Sequence, residues 1–200
     1  ALADNAALVA KKEPAKPVPA ETPGNMNGNR DASWMYNGRM HPVVPYAIRG
    51  AIWNQGYANI GGGLTYYDNL HALIPGWRKV WNRPDLPVYF NQFYAPGAND
   101  GLDLNPMAEM RLGAWLARDI PHTGMAIQID ITGSIHYFNK ALSGQRMARH
   151  ALRNQYGKKD VVTDGPMFKG YRVEGDKVVV ELDHTDGGLV VAKTCLLYTS

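Results

Sequence analysis

Tyr46-Ala47-Ile48-Arg49-Gly50-Ala51-Ile52-Trp53-Asn54-Gln55-Gly56-Tyr57-Ala58-Asn59 is the stretch on which the rest of the chain turns. It opens as a short apolar run with Ile48, Ala51, Ile52 and Trp53 between turn signals, the signature of a buried strand over 48–54. It then changes character at Gln55, Gly56 and Asn59 and runs into Gly61-Gly62-Gly63. A buried strand that ends in amides and glycines suits the carboxyl edge of an α/β sheet, where ligands bind. The Asn59 amide offers two donors and Gly56 allows close backbone approach, both fitting a developing oxyanion. The pattern equally fits a polar loop in which Asn and Gly serve turn geometry.

Working outward, helices and strands alternate. Tyr67, Leu70, Ile74, Trp77 and Trp81 are spaced as one face of a helix over 64–81, which Pro75-Gly76 is expected to kink or split. Val88 to Phe93 reads as a second strand and Gly124 to Asp130 as a third. Asn105-Pro106 starts a helix that runs to Arg118, and 139–156 is a further helix. On that last helix Arg146, Arg149 and Arg153 read as a solvated stripe. This alternation implies a parallel sheet covered on both sides. Residues 31–46 read as loop with short structure, and Tyr94 to Asn105 as loop.

After Gly157 the texture changes. Tyr171 to Leu182 reads as a β-hairpin around Glu174-Gly175-Asp176-Lys177, and Leu189 to Ala192 as one more strand. The expected organisation is a linker or extended segment over 1–30, an α/β domain over 31–157, and the start of a β-rich domain over 158–200. Residues 11–28, rich in Lys, Glu, Pro and Gly, read as a spacer.

Two hundred residues suffice for one domain with a real core, or one domain plus part of another. A formal charge of +3 with no basic cluster argues against nucleic-acid binding. No apolar run reaches the length of a membrane span, and Ala1 to Ala10 lacks the pattern of a signal peptide. Cys195 is the lone cysteine, so neither an internal disulfide nor a cysteine metal site is expected. His41, His71, His122, His150 and His184 are scattered without metal-ligand spacing, and the glycine triplet lacks the Lys-Ser/Thr of a phosphate loop.

Gly50 to Asn59 resembles the tryptophan-X-glutamine-glycine-glutamate-serine-asparagine block of sialate O-acetylesterases, a branch of the SGNH/GDSL hydrolase superfamily. Tyr36-Asn37-Gly38-Arg39-Met40-His41-Pro42, Val44 to Gly50, Trp77-Arg78, Leu86 to Phe90, and His136 with Asn139-Lys140 match the same family in order. The likeness runs from about Met35 to about Lys193. It implies an SGNH-hydrolase-like three-layer sandwich, represented here in part, followed by the start of a β-rich C-terminal domain. It implies hydrolysis of acetyl esters on sugar hydroxyls, such as those of sialic acid, through a serine acyl-enzyme. No cofactor is needed, the partner is an O-acetylated sugar, and a periplasmic or secreted location follows by resemblance alone.

By position, the resemblance makes His136 the general base and Asn59 an oxyanion donor, with Gln55 nearby. Asp130 matches a family aspartate; it either turns toward the site or caps the loop. Trp53 and Tyr57 are candidates to contact the sugar. Two departures stand out: Ser134 replaces the carboxylate two positions before the histidine, and Tyr57 replaces the block's glutamate. A hydroxyl can orient an imidazole but cannot offset the charge it gains. A carbohydrate-binding relative that kept the fold without catalysis is therefore the alternative. None of the four serines, Ser33, Ser134, Ser143 and Ser200, lies in a Gly-X-Ser-X-Gly elbow or matches the family's nucleophile block. The nucleophile is expected upstream of Ala1, and the 200-residue chain alone is expected to be inactive. Residues 193–200 leave the family-like pattern.

Overall fold

The computed structural model describes residues 35–44, 46–55, 57–93, 104–131, 136–137 and 139–189. The chain divides into two compact units, 1–46 and 47–200. In the first, Tyr36–Met40 forms a π-helical turn and His41–Val43 a 3-10 turn entered at Pro42. Their rings meet edge to face, Tyr36 on His41, at 6.0 Å.

The second unit carries β1 (Ala51–Trp53), α1 (Thr65–Val80), β2 (Val88–Asn91), α2 (Leu104–Leu116), β3 (Thr123–Ala126), α3 (Lys140–Gln155), β4 (Met167–Glu174) and β5 (Lys177–Asp183). The first three strands pair in parallel in the order β1-β2-β3, with Ile52 opposite Tyr89 and Tyr89 opposite Gly124. Parallel neighbours need crossovers, and α1 and α2 supply them. This is the α/β architecture with a parallel sheet expected from the alternation.

Alternation along β2 decides the layers. Val88 and Phe90 point into a core shared with Tyr66, Leu70 and Ile74 of α1, Met110 and Ala114 of α2, and Met125 of β3. Tyr89 points the other way, onto Met147 and Ala151 of α3 and Ala126. Every residue of β2 is buried. Each fully buried Phe or Leu in such a core is worth about 1.5–3 kcal/mol.

The strands are shorter than expected. β1 spans 51–53 and not 48–54, and Ile52 is 57% exposed. It faces the side where α3 packs on β2 and β3, so the apolar run here belongs to an edge strand. β3 stops at Ala126 because Gln128 turns inward and Ile129-Asp130 form a turn. Pro75 neither splits nor ends α1, which runs unbroken from Thr65 to Val80 with Pro75 on its exposed side. The stripe on α3 is not simply solvated. Arg146 grips Asp130, and Arg153 Nη1 donates to the Lys159 and Val161 carbonyls at 2.8 and 3.0 Å.

The amino edge of the sheet is tied by a buried cation. Arg78 of α1 donates from Nε to the Leu86 carbonyl at 3.0 Å and from Nη2 to the Pro121 carbonyl at 2.5 Å. It thereby joins the loops that lead into β2 and β3. Burial depresses its pKa, which the field of Asp85 partly opposes.

A second buried base sits behind the sheet. His150 of α3 stacks on Tyr89 at 5.6 Å, and its Nε2 lies 3.3 Å from the Met125 carbonyl. A Cβ on Gly124 would fall 2.5 Å from the His150 Nδ1, so that strand position has to be glycine. Burial pulls the imidazole below its ordinary value, with Arg118 adding to the effect and Asp164 and the Met125 carbonyl opposing it.

β4 and β5 form the expected hairpin, longer than Tyr171–Leu182, with Gly175 at φ +63 supplying the turn. Its Tyr171, Val173, Val178 and Val180 share one exposed face by register, while Arg172 bridges Glu174 and Glu181 at 2.7 and 2.6 Å on the other. Leu189 is not in a strand, and 190–192 lie outside the described residues, as do 1–34, 94–103 and 193–200.

Two outcomes follow. Arg78→Lys lacks the fork that reaches two carbonyls, so it should lower stability by about 1–3 kcal/mol. An unshifted urea midpoint would refute that. The unfolded His150 titrates near 6.5, above its folded value. Its contribution is thus intact above that pH and is lost as acid protonates it. Between about pH 7.5 and about pH 5.5 the wild-type urea midpoint should fall more than that of His150→Phe; parallel profiles would exclude His150 as the source.

Candidate functional site

The carboxyl ends of the three parallel strands gather amides and hydroxyls. At the end of β1, Trp53 turns its ring into the α1 layer. Its Nε1 donates to the Tyr66 hydroxyl at 3.2 Å, and it meets Trp77 edge to face at 5.5 Å. Burial pushes the Tyr66 phenol up to about 12, so it stays protonated. Gln55 follows, and its Nε2 donates to Asn59 Oδ1 at 2.6 Å. Asn59 is delivered by a 3-10 turn over Tyr57–Gly62, which Thr65 closes by donating to the Gly62 carbonyl at 2.9 Å.

Trp53, Gln55 and Asn59 therefore share one pocket of about 180 Å³, with Tyr66, Asn69 and Leu70 in its wall. The Gln55 bond uses the Asn59 carbonyl, so the NH2 end is the one able to meet an incoming oxygen. The side chain of Tyr57 lies outside the described residues, as do Gly56 and Ser134.

On the other side of Asn54 is a network that the sequence did not announce. Asn91, at the end of β2, donates from Nδ2 to Asn54 Oδ1 at 2.8 Å. The Tyr137 hydroxyl lies 3.5 Å from the same Asn54 oxygen and 3.4 Å from Ser143 Oγ. Gln128, just past β3, donates from Nε2 to the Tyr137 hydroxyl at 3.1 Å and to Ser143 Oγ. Asn91, Gln128 and Ser143 are at most 3% exposed. Among the described residues Asn91 Oδ1 is a buried acceptor without a partner. A signal for this cluster did exist: Asn54, Asn91 and Gln128 are polar residues directly after or within apolar runs at strand ends.

His136 is exposed, one residue before Tyr137. The structure thus brings the neighbours of two candidates to one spot: Asn54 precedes Gln55, and Tyr137 follows His136. Asp130 goes elsewhere. Arg146 donates to both its oxygens at 2.7 and 2.6 Å, and Arg146 Nη1 also reaches the Ile127 carbonyl at 2.5 Å. That bidentate pair holds the carboxyl below its usual range and makes Asp130 an anchor between the β3 loop and α3. Ser143 is the one serine among the described residues. It is 2% exposed and engaged by Gln128, which suits a structural hydroxyl and not an attacking one.

A roomier cleft of about 320 Å³ lies between the end of β3, α3 and residues 162–167. Its charged lining is largely committed, Arg146 to Asp130 and Asp164 to the Thr163 hydroxyl at 2.8 Å. Among the described residues no group of three His, Cys, Asp or Glu side chains could hold a metal ion. No helix there is long and apolar enough to cross a membrane.

No family model matches the chain. Human sialate O-acetylesterase, however, is 24% identical to it over 179 residues, 80% of this chain and 34% of that protein. The rat protein of the same name is 26% identical over 157 residues, 68% of this chain and 29% of its own. The crystal structure of a carbohydrate acetylesterase from Xanthomonas citri superposes with a TM-score of 0.67 at 32% identity, over 75% of this chain and 35% of that one. The chain is a relative of the sialate O-acetylesterases. It spans about a third of the length of the relatives it matches, and its parallel sheet with helices on both faces is the acetylesterase fold. The stretch that carries the resemblance, Gly50 to Asn59, also supplies Trp53, Gln55 and Asn59 to the pocket, and α1 supplies the rest.

Proposed function

We propose that this protein is a carbohydrate O-acetylesterase that removes acetyl groups from sugar hydroxyls. The observation that carries the reading is the pocket at the end of β1, where Gln55 fixes the Asn59 amide beside Trp53. Two further points support it. Tyr137, next to His136, reaches Asn54, next to Gln55. The matched relatives are named as esterases of acetylated carbohydrates.

In this reading the Asn59 NH2 donates to the oxyanion that forms when a serine hydroxyl adds to the acetyl carbonyl. His136 takes the proton from that serine and passes it to the sugar oxygen as the ester bond breaks. A water then repeats the sequence to free acetate. The serine is outside the described residues. Trp53 and Tyr57 are assigned to the sugar face, as apolar rings suit the carbon face of a pyranose. Asp130 is held by Arg146, and Ser134 stands where the family has a carboxylate, so neither is assigned to the imidazole in this reading. An exported protein is consistent with such a substrate.

The test is O-acetyl sugar hydrolysis by the intact protein. Asn59→Ala should lower kcat about 10²–10³-fold, as removal of an oxyanion donor does. His136→Ala should abolish burst acetylation. Wild-type turnover in both variants would overturn the reading. Sugar binding by a parent that never releases acetate would favour a non-catalytic relative.

A further inference from the structure

We propose that Tyr137 is a positioning residue for His136: its hydroxyl seats the imidazole-bearing turn on the amide cluster at the sheet's carboxyl edge. The inference rests on the esterase reading for its kinetic consequence, but its physical basis is the geometry around Tyr137 itself.

Tyr137 is held at each of its parts. The ring is 6% exposed and packs with Ile131 and Leu142. The Lys140 ammonium lies 4.3 Å from the ring centroid, within cation–π range, and also donates to the Tyr137 carbonyl at 2.7 Å. The hydroxyl accepts from Gln128 at 3.1 Å, and its single proton is shared between Asn54 and Ser143 at 3.5 and 3.4 Å. These partners come from three elements: the end of β1, the segment past β3, and the first turn of α3. The turn of α3 is itself fixed by Asn139, whose Oδ1 accepts from the Leu142 amide at 3.2 Å.

His136 is exposed, so little burial is available to place it. Adjacent Cα atoms are about 3.8 Å apart, so fixing Tyr137 confines the His136 backbone to one peptide's reach. The phenol therefore does for the base what Gln55 does for Asn59: it ties an exposed group to the strand ends. The two ties meet at consecutive residues, Asn54 and Gln55. Reacting groups must be held to within fractions of an ångström, and a shift of about 1 Å can cost about 10²-fold in rate. A single hydroxyl at this junction is enough to matter.

Tyr137→Phe in the intact protein is the test, because it keeps the ring and its packing. On an O-acetyl sugar, kcat should fall about 10–10²-fold with KM nearly unchanged. The His136 imidazole signals in a histidine-labelled NMR spectrum should shift or broaden while the thermal midpoint stays close to that of the parent. Ser143→Ala, which leaves Tyr137 intact but removes a partner of its hydroxyl, should move the same signals by less. Unmoved His136 signals in Tyr137→Phe overturn the inference, whatever the rate does. If Tyr137→Phe lowers the thermal midpoint strongly, Ser143→Ala decides: moved His136 signals support the inference, and unmoved ones overturn it. A parent without hydrolysis defeats the esterase reading alone, and the imidazole signals still decide the role of Tyr137.

Discussion

Burial of β2 on both faces is the constraint from which the rest follows. A strand with helices above and below has no water for its backbone, so both flanking strands must pair with it throughout. Its side chains must also serve two cores at once. Val88 and Phe90 fill one while Tyr89 fills the other. When such a strand ends in a polar residue, as β2 does at Asn91, the side chain emerges inside the protein and has to find a partner. Asn54, just past β1, provides it. The polar cluster at the carboxyl edge is thus a consequence of how the sheet is buried before it is anything functional.

That cluster is built from neutral groups: two asparagines, a glutamine, a tyrosine and a serine. Amides and hydroxyls can be satisfied in a buried setting at a modest net gain of about 0.5–1.5 kcal/mol per bond, without the desolvation that an ion pair demands. The charged pair nearby, Asp130 with Arg146, is placed at the exposed margin. A site surrounded in this way can present hydrogen-bond donors to an incoming oxygen without a fixed charge beside it.

Much of this was legible in the sequence. The one-sided spacing of Leu70, Ile74 and Trp77 gave α1, and the apolar run from Val88 gave β2, because period and burial coincide there. Gln55 and Asn59 could be paired with a strand end because the run changes from apolar to amide at that point. What could not be read was long-range. Ile52 looks buried until one knows that α3 covers only its neighbours. Gln128 looks like a strand residue until Tyr137 and Ser143, nine and fifteen positions on, claim its amide. Asp130 reads as either a site residue or a loop cap, and only Arg146, arriving from α3, shows what grips it. His150 was one scattered histidine among several, and only the register that sets Gly124 beside it reveals its buried seat. Each miss is a side chain whose partner lies across a turn or a crossover, where local periodicity carries no information.

The grip of Arg78 on the Leu86 and Pro121 carbonyls gives the sheet one stiff hem. The two loops entering β2 and β3 cannot drift independently, since one planar guanidinium fixes the separation of both. The opposite hem is tied differently, by neutral hydrogen bonds of 2.6–3.5 Å and, past β3, by the Arg146–Asp130 pair. The same three strands thus begin at a shared cation and end in an amide cluster, and the pocket lies at the amide end.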